Sequence, residues 1–394
     1  MELDFDILFS LPLRCLKLNG GYPFYKRNLK WFVRCFGVEG LFSYIFLGLI
    51  YQSIHYDLKD GDMLAACGNG TLMVMYLVIT FMLGVLLKHK STFCELINLM
   101  KADYEYAKTK LSPDDQKLVL EYALMARTVS IWWGYLVFVG ALAFPGQAIA
   151  LTIYYSVKDT FRVVDMFPLR YPERMEEFMG PVIQSILTNF LIFFFEFCSY
   201  AGYVGIVPLG PTFMLHVCGK IALVERRVKL LFSDIEYSPL NTKRKLSDIV
   251  QQIQNIYSFV EKIQTAFEVF YEFSLKGTSL ILPLMIFLIL ESLKQAHLPV
   301  EFITIAFGAV VLSSIPCYYS DKLLEKGESL SESIYTSGWE NHWDKGSRST
   351  LLIILLRATR PVVLRTMFRN ICLDALTDVF RDAYSLFNLL HATV

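Results

Sequence analysis

Three aspartates near the carboxyl end of the chain, Asp374, Asp378 and Asp382, recur every four residues. On a helix this spacing places them on one face, and Ser385 and Leu389 continue the same stripe. If the helix crosses a membrane, this face could line a path for cations whose narrow part is apolar. The alternative is that its lower turns project from the bilayer, with carboxylates that are solvated or paired to nearby arginines; hydropathy alone favours neither. Those arginines are Arg365, Arg369 and Arg381.

Residue types that could perform catalysis or hold a metal form no recognisable motif. The eight cysteines include no CxxC pair and the six histidines no HExxH motif. The sequence also lacks a P-loop, a dinucleotide-binding glycine motif and a nucleophile-elbow serine. His216 and Cys218 stand alone, as packed side chains commonly do. We therefore predict a protein that is not an enzyme and uses no metal or other cofactor.

The composition indicates a membrane protein. The formal net charge is zero, with 37 basic and 37 acidic residues, and gives no clue to partners. Hydrophobic residues make up 54% and charged residues 19%, whereas soluble domains have about 45–50% and about 25%. The 15% of aromatic residues exceeds what one soluble core needs. These values exclude a disordered chain or a small disulfide scaffold and argue against a soluble two-domain protein.

Six apolar runs are candidates to cross a bilayer, which takes about 17–25 helical residues. They cover residues 40–56, 63–87, 128–157, 181–195, 277–294 and 302–320, and the fifth contains two charged residues, Glu291 and Lys294. Glu196 ends the fourth run, and we expect its carboxylate to reach water at the membrane interface. Residues 197–219 are also uncharged, but Pro208, Gly210 and Pro211 interrupt them. We interpret this stretch as the broken lower end of a long fourth helix.

The basic residues predict the orientation of the chain. Thirty of the 37 Lys and Arg fall in segments 1–34, 88–128, 219–276 and 320–370, six lie on the opposite side, and Arg381 lies in the last helix. Because basic residues concentrate on the cytoplasmic side, the amino terminus is predicted to be cytoplasmic.

The predicted cytoplasmic segments contain amphipathic helices. From Leu246 to Phe270 apolar residues recur every three or four positions, so this stripe needs a partner outside the membrane. The run from Leu351 to Leu356 is too short to cross a bilayer and predicts a helix that Pro361 stops. We expect these helices to pack into one intracellular bundle. The alternative, helices lying on the inner leaflet, fits less well because the polar face of 246–273 mixes acid and base.

The carboxyl-terminal residues carry a resemblance to a known family. In order, they are Ile334-Tyr335, Trp339, the apolar run 351–356, Arg357, Pro361, Leu364, Phe368, Leu373 and the sequence 383–390, AYSLFNLL. This pattern, after a six-span body, resembles the ending of insect odorant receptors. Thr359 departs from it, because the family often has glutamine there, and the aspartate series is not a family hallmark.

The resemblance implies an all-α integral membrane protein of seven helices, with an intracellular amino terminus, an extracellular carboxyl terminus and a cytoplasmic anchor bundle. In that family four subunits surround one cation-permeable pore, which the last helix lines. The chain looks like an odorant-tuning subunit that works with a shared coreceptor, because its third cytoplasmic region lacks the coreceptor's long insertion. Leu389 aligns with the hydrophobic gate, and Ser385 and Ala392 share its face. The implied location is the plasma membrane of olfactory neuron dendrites.

The chain is then divided as follows: a cytoplasmic amino-terminal segment (1–34), helices 1–4 with the ligand-binding region (35–218), a cytoplasmic anchor segment (219–276), helices 5–6 (277–320), cytoplasmic anchor helices (321–369) and pore helix 7 (370–394).

Family analogy places the ligand pocket in the outer halves of helices two to six. A pocket for a small volatile compound should be mostly apolar with one or two hydrogen-bonding groups. Asn189 and Gln147 are prominent because an amide at membrane depth must find a partner, whether a neighbouring helix or the ligand. The candidates by depth are Met73, Tyr76, Thr80, Phe138, Phe144, Gln147, Ser185, Ile186, Asn189, Phe190, Leu284, Phe287, Phe302 and Phe307.

One modification motif and three alternative functions complete the predictions. Asn69-Gly70-Thr71 is a glycosylation sequon, whose closeness to the second span argues against its use. The nearest alternative is a gustatory receptor of the same superfamily. A G-protein-coupled receptor would reverse the predicted termini, and a membrane enzyme or transporter would need a clustered site that the sequence lacks.

Overall fold

The computed structural model describes residues 3–158, 163–231, 239–294, 298–341, 344–360 and 362–392. Pro361, which is predicted to stop a helix, lies outside these residues. Within them every regular element is helical, apart from a bridge between Arg365 and Asn370.

Fourteen α-helices make up the described part of the chain. They are α1 (Phe5–Leu8), α2 (Ser10–Leu18), α3 (Leu29–Phe32), α4 (Glu39–Lys59), α5 (Met63–Lys88), α6 (Lys90–Lys110), α7 (Pro113–Val157), α8 (Glu173–Phe178), α9 (Pro181–Ile206), α10 (Leu209–Leu230), α11 (Pro239–Lys294), α12 (Val300–Tyr335), α13 (Lys345–Ala358) and α14 (Leu373–Ala392). A π-helical turn, Val33–Val38, joins α3 to α4, and a 3₁₀ turn, Trp339–Asn341, follows α12.

Six helical stretches among the described residues are long and apolar enough to cross a membrane. They are Leu29–Lys59, Met63–Lys88, Pro113–Val157, Pro181–Leu230, Thr242–Lys294 and Val300–Tyr335. Helix α14 has 20 residues, or about 30 Å at 1.5 Å per residue, which matches a bilayer core. Its charged residues set it apart from the other six, so it can cross only where protein or water faces them.

The fourth span is a long helix with one break. Only Val207 and Pro208 separate α9 from α10. On α10, His216 Nε2 lies 2.9 Å and Lys220 Nζ 2.7 Å from Asp103 Oδ2 of α6. Since α6 directly follows the second span, this contact places α10 beyond the end of that span. An immediate return through the membrane would instead place α10 alongside α9.

This ion-pair cluster joins two bundle helices. Burial opposes ionisation of Asp103, but the hydrogen bond to His216 and the charge of Lys220 prevail and hold the pKa of this carboxyl below its usual value. Asp103 is therefore charged at neutral pH, and its attraction to Lys220 is lost only in strong acid.

The largest hydrophobic core lies at the end of the molecule that holds α6, α10 and the amino-terminal half of α11. Eight of the ten apolar side chains in the predicted stripe of α11 face this core and are less than one-tenth exposed, and the other two, Val250 and Tyr257, are partly buried against it. The packed bundle that the sequence predicts is therefore confirmed, and its cytoplasmic position stays a prediction. The buried residues of the stripe are Leu246, Ile249, Ile253, Ile256, Val260, Ile263, Phe267 and Phe270.

Two helices of the bundle begin at side-chain caps. Ser112 Oγ accepts a hydrogen bond from the amide of Asp115 at the start of α7, as the sequence Ser-Pro-Asp-Asp predicts. Asp344 caps α13 through the amides of Gly346 and Ser347. These hydrogen bonds occupy amides that have no partner within the helix itself.

Candidate ligand cavity and terminal helix

A cavity of about 200 Å³ lies between α5, α7, α9, α11 and α12. Its walls are mostly aromatic and aliphatic, which suits a small apolar compound. Large lining side chains include Trp133, Phe144, Tyr200, Tyr203, Phe270 and Phe273. The indole of Trp133 donates a 3.0 Å hydrogen bond to the carbonyl of Tyr203 and so ties α7 to α9.

Helix α9 contributes four lining residues at helical spacing: Glu196, Ser199, Tyr200 and Tyr203. Steps of three and four place them on one face. The other side of α9 faces a second cavity of about 270 Å³, lined by residues such as Phe195 and Cys198.

Glu196 corrects a prediction from the sequence. Instead of reaching water at an interface, its side chain is only 7% exposed and lines the first cavity. Its Oε1 has no hydrogen-bond partner among the described residues, and neither does Ser274 Oγ, which lines the same cavity. The carboxyl is shielded from solvent because surrounding helices enclose that turn of α9.

Hydroxyl groups fix α11 to α12 beside the cavity. Thr278 Oγ1 and Ser313 Oγ form a short hydrogen bond, and Ser313 also donates to the carbonyl of Ser274. These contacts hold together two of the helices that form the cavity wall.

Residues 163–172, between α7 and α8, pack against one end of the helix bundle. Phe167, Leu169 and Tyr171 are 3–4% exposed. The ring of Phe167 lies 5.3 Å from that of Phe144, which lines the cavity. This segment therefore packs against Phe144, one of the predicted ligand residues.

Polar contacts fasten this segment to α4 and α5. Ser53 Oγ accepts from the Arg170 amide at 2.9 Å and donates to the Pro168 carbonyl at 3.3 Å. Arg170 also lies 3.0 Å from the carboxylate of Asp60. Asn69, only 1% exposed, donates to Asp57 and Pro168. The sequon asparagine is thus buried and hydrogen-bonded in the folded protein.

The predicted ligand residues fall into three groups. Phe144 and Phe307 line the first cavity, and Tyr76 and Thr80 line the second. The other ten line neither of them. These ten are Met73, Phe138, Gln147, Ser185, Ile186, Asn189, Phe190, Leu284, Phe287 and Phe302.

Several of these ten residues lie away from both cavities, on the surface or in other contacts. Ile186 and Phe190 are 61% and 59% exposed on the outer surface of α9, whereas Phe302 is fully buried in a separate cluster with Met285. Asn189 Oδ1 accepts a 2.9 Å hydrogen bond from the amide of Met166, so the segment between α7 and α8 supplies the partner that its amide needs.

Sequence reasoning missed several cavity residues. Trp133, Tyr200 and Tyr203 gave no usable signal, since aromatic residues are spread throughout the spans. Glu196 did give one, because an ionisable residue within a membrane span is a functional candidate by default.

Helix α14 buries one face and exposes the other. Ala375, Leu376, Val379 and Ala383 are buried, and the helix packs against α11 and α12. The opposite face carries all of the predicted pore residues, Asp378, Asp382, Ser385, Leu389 and Ala392, and all five are exposed. Arg381 lies 3.3 Å from Asp378, so at least one carboxylate has a basic neighbour on its own helix.

Comparison with known proteins decides the family. A family model described as 7tm Odorant receptor matches residues 62–384. The chain belongs to the odorant receptor family. This confirms the resemblance of the carboxyl-terminal sequence, and such receptors are known as ligand-gated channels, not enzymes. No curated protein matches this odorant receptor.

Two solved structures share the fold of this odorant receptor. The insect olfactory receptor OR5 from Machilis hrabei is similar with a TM-score of 0.76 and 14% identity, covering 96% of both chains. The same receptor in complex with eugenol gives a TM-score of 0.72 and 15% identity, covering 98% of both chains. The predicted fold class, an all-α membrane protein, is confirmed, and the odorant receptor is a multi-pass membrane protein.

Proposed function

We propose that this receptor is the odorant-tuning subunit of a non-selective cation channel, gated by a small volatile compound that binds between α5, α7, α9, α11 and α12. The observation that supports this most directly is the cavity itself, which lies within apolar spans and has walls of aromatic and aliphatic side chains. The eugenol complex of the OR5 receptor agrees with a ligand of this size and character.

The packing of α14 supports a link from ligand to pore. Helices α11 and α12 contribute residues from Phe270 to Ile281 and from Thr304 to Leu312 to the cavity wall, and both pack against α14. A ligand that binds more tightly when these helices take their open arrangement would shift α14 with them. Equal affinity for both arrangements would shift nothing.

The proposed pore surface is the exposed face of α14. Leu389 is 63% exposed and would form the gate, with Ser385 and Ala392 beside it. Asp378 and Asp382 would attract cations at the wider end. Such a face is costly in lipid but suits a central pore shared by several subunits.

The proposed partner is the odorant receptor coreceptor, in a heterotetramer around one pore. Exposed apolar residues on α13, namely Leu352, Ile353 and Leu356, are 51–73% exposed and support burial against neighbouring subunits. The proposed location is the plasma membrane of olfactory neuron dendrites, with the amino terminus inside and the carboxyl terminus outside.

Coexpression tests the proposal. Cells carrying the receptor with the coreceptor, the receptor alone or the coreceptor alone are exposed to an odorant panel while membrane current is recorded. We expect currents to particular odorants only when both chains are present. Responses restricted to non-volatile tastants would favour a gustatory receptor, and an extracellular amino-terminal tag in unpermeabilised cells would refute the channel topology.

A further inference from the structure

One carboxylate oxygen of Glu196 lies buried in the cavity without a hydrogen bond from the described residues. A carboxyl group that leaves water loses hydration, and the loss is recovered only by hydrogen bonds or an opposite charge. Glu196 Oε1 has no hydrogen-bond partner among the described residues. The described side chains that line the cavity include no Lys, Arg or His. Neither fold stability nor internal pairing accounts for this oxygen.

The position of Glu196 points to a ligand contact. Its face of α9 continues through Ser199, Tyr200 and Tyr203, which line the same cavity. Ser199 Oγ already donates to the carbonyl of Phe195. The Trp133 indole donates to the Tyr203 carbonyl. Among the α9 residues that line this cavity, Glu196 is therefore the carboxylate, and its Oε1 has no hydrogen-bond partner among the described residues.

A second unpartnered polar atom borders the same space. Ser274 Oγ of α11 is buried and has no hydrogen-bond partner among the described residues. Its hydroxyl can donate or accept, so a ligand hydroxyl would find both kinds of partner in this cavity.

We infer that Glu196 is the specificity-determining residue of this cavity and selects compounds that carry one hydroxyl or amine donor on a mostly apolar body. This inference rests on the proposed function, that the cavity binds the odorant. The donor of the ligand would satisfy Glu196 Oε1, while its apolar body would contact the aromatic walls. Compounds of equal size without a donor would leave the buried oxygen unpaired and bind more weakly.

Three closely matched probes test this preference. 2-Phenylethanol carries a hydroxyl donor, and benzyl methyl ether is its isomer without a donor. 2-Phenylethylamine replaces the hydroxyl with a cationic amine. With receptor and coreceptor coexpressed, we expect the alcohol or the amine to be about tenfold or more as potent as the ether, the ratio that one hydrogen bond to a buried acceptor supplies.

Two variants of the same position separate the two donor classes. Glu196→Leu removes the acceptor, and we expect it to abolish the preference over the ether. Glu196→Gln keeps a neutral acceptor, so it should preserve the response to the alcohol but weaken the response to the amine about tenfold or more. Glu291→Gln, at a partly exposed carboxylate of α11 paired with Lys294, is the matched control and should change neither response.

Each remaining outcome counts against the inference. Equal potency of ether and donors in the parent receptor, or the same loss of all three responses in both Glu196 variants at normal surface expression, would overturn it. Failure of all three probes in a receptor that other odorants open would refute the donor class and leave the proposed function intact. Failure of every odorant would refute the proposed function itself.

Discussion

The contact between Gly210 and Tyr271 gives a prediction that tests how α10 and α11 pack. A methyl group added at Gly210 would overlap the hydroxyl of Tyr271. Tyr271 is 3% exposed, and its ring stacks on Phe267 with centroids 5.3 Å apart. The ring therefore cannot move aside without disturbing the core, and we expect Gly210→Ala to destabilise the receptor.

We expect Gly210→Ala to lower the free energy of unfolding by about 1–3 kcal/mol, the usual cost of overpacking a dense core. The Tyr271 hydroxyl already lacks a hydrogen-bond partner among the described residues, and an unpaired buried polar group costs about 1–3 kcal/mol. Tyr271→Phe should therefore be neutral or stabilising. In the Gly210→Ala background it should recover most of the loss, with a coupling energy of about 1–3 kcal/mol between the two sites.

Thermal unfolding of the detergent-solubilised receptor, followed by fluorescence-detected size exclusion, measures the effect. Gly84→Ala on α5 is the control, since its added methyl would meet no atom within 4 Å, and it should match or slightly exceed the parent. A Gly210→Ala receptor as stable as the control would refute this packing, as would a defect that Tyr271→Phe leaves unchanged.

Four other predictions concern the pore, the sequon and the bundle. Leu389→Ala should raise the current without odorant when the coreceptor is present, and unchanged basal and evoked currents would remove Leu389 from the gate. Neutralising Asp378 and Asp382 together should change conductance or cation selectivity; unchanged permeability at normal expression would mean that these carboxylates are solvated outside the ion path. Asn69→Gln should run at the same gel mobility as the parent before and after glycosidase treatment, because the buried asparagine carries no glycan. Asp103→Ala should lower stability by about 1–3 kcal/mol, discounted from the cost of a fully buried pair because this carboxylate is one-third exposed. The loss should be constant between pH 7 and 8, where the carboxylate stays charged.

Local patterns in the sequence predicted the helices well. The spacing of apolar residues from Leu246 to Phe270 required a buried stripe, and Ser112 capped α7 where expected, because both features depend on neighbours within a few turns. The interruption at Pro208 was also visible, since proline lacks the amide that continues a helix.

The residues that line the first cavity were foreseen less well than the helices. Depth along each span can be counted from the sequence, but the rotation of a helix about its axis depends on which helices it meets. Ile186 therefore faces outward although its depth was reasonable. The packing of the segment around Phe167 could not be foreseen, because its contacts join residues more than a hundred positions apart, such as Arg170 and Ser53.

The sequence by itself determined that this receptor is a helical membrane protein of its family, because hydropathy, charge placement and the carboxyl-terminal residues are local properties of the chain. Only the tertiary structure decided that Glu196 is enclosed in a cavity and that α14 presents its aspartates on the face opposite α11 and α12. Burial is set by neighbours that are distant in the chain. A carboxylate that water would hydrate needs a hydrogen-bond donor when apolar helices surround it.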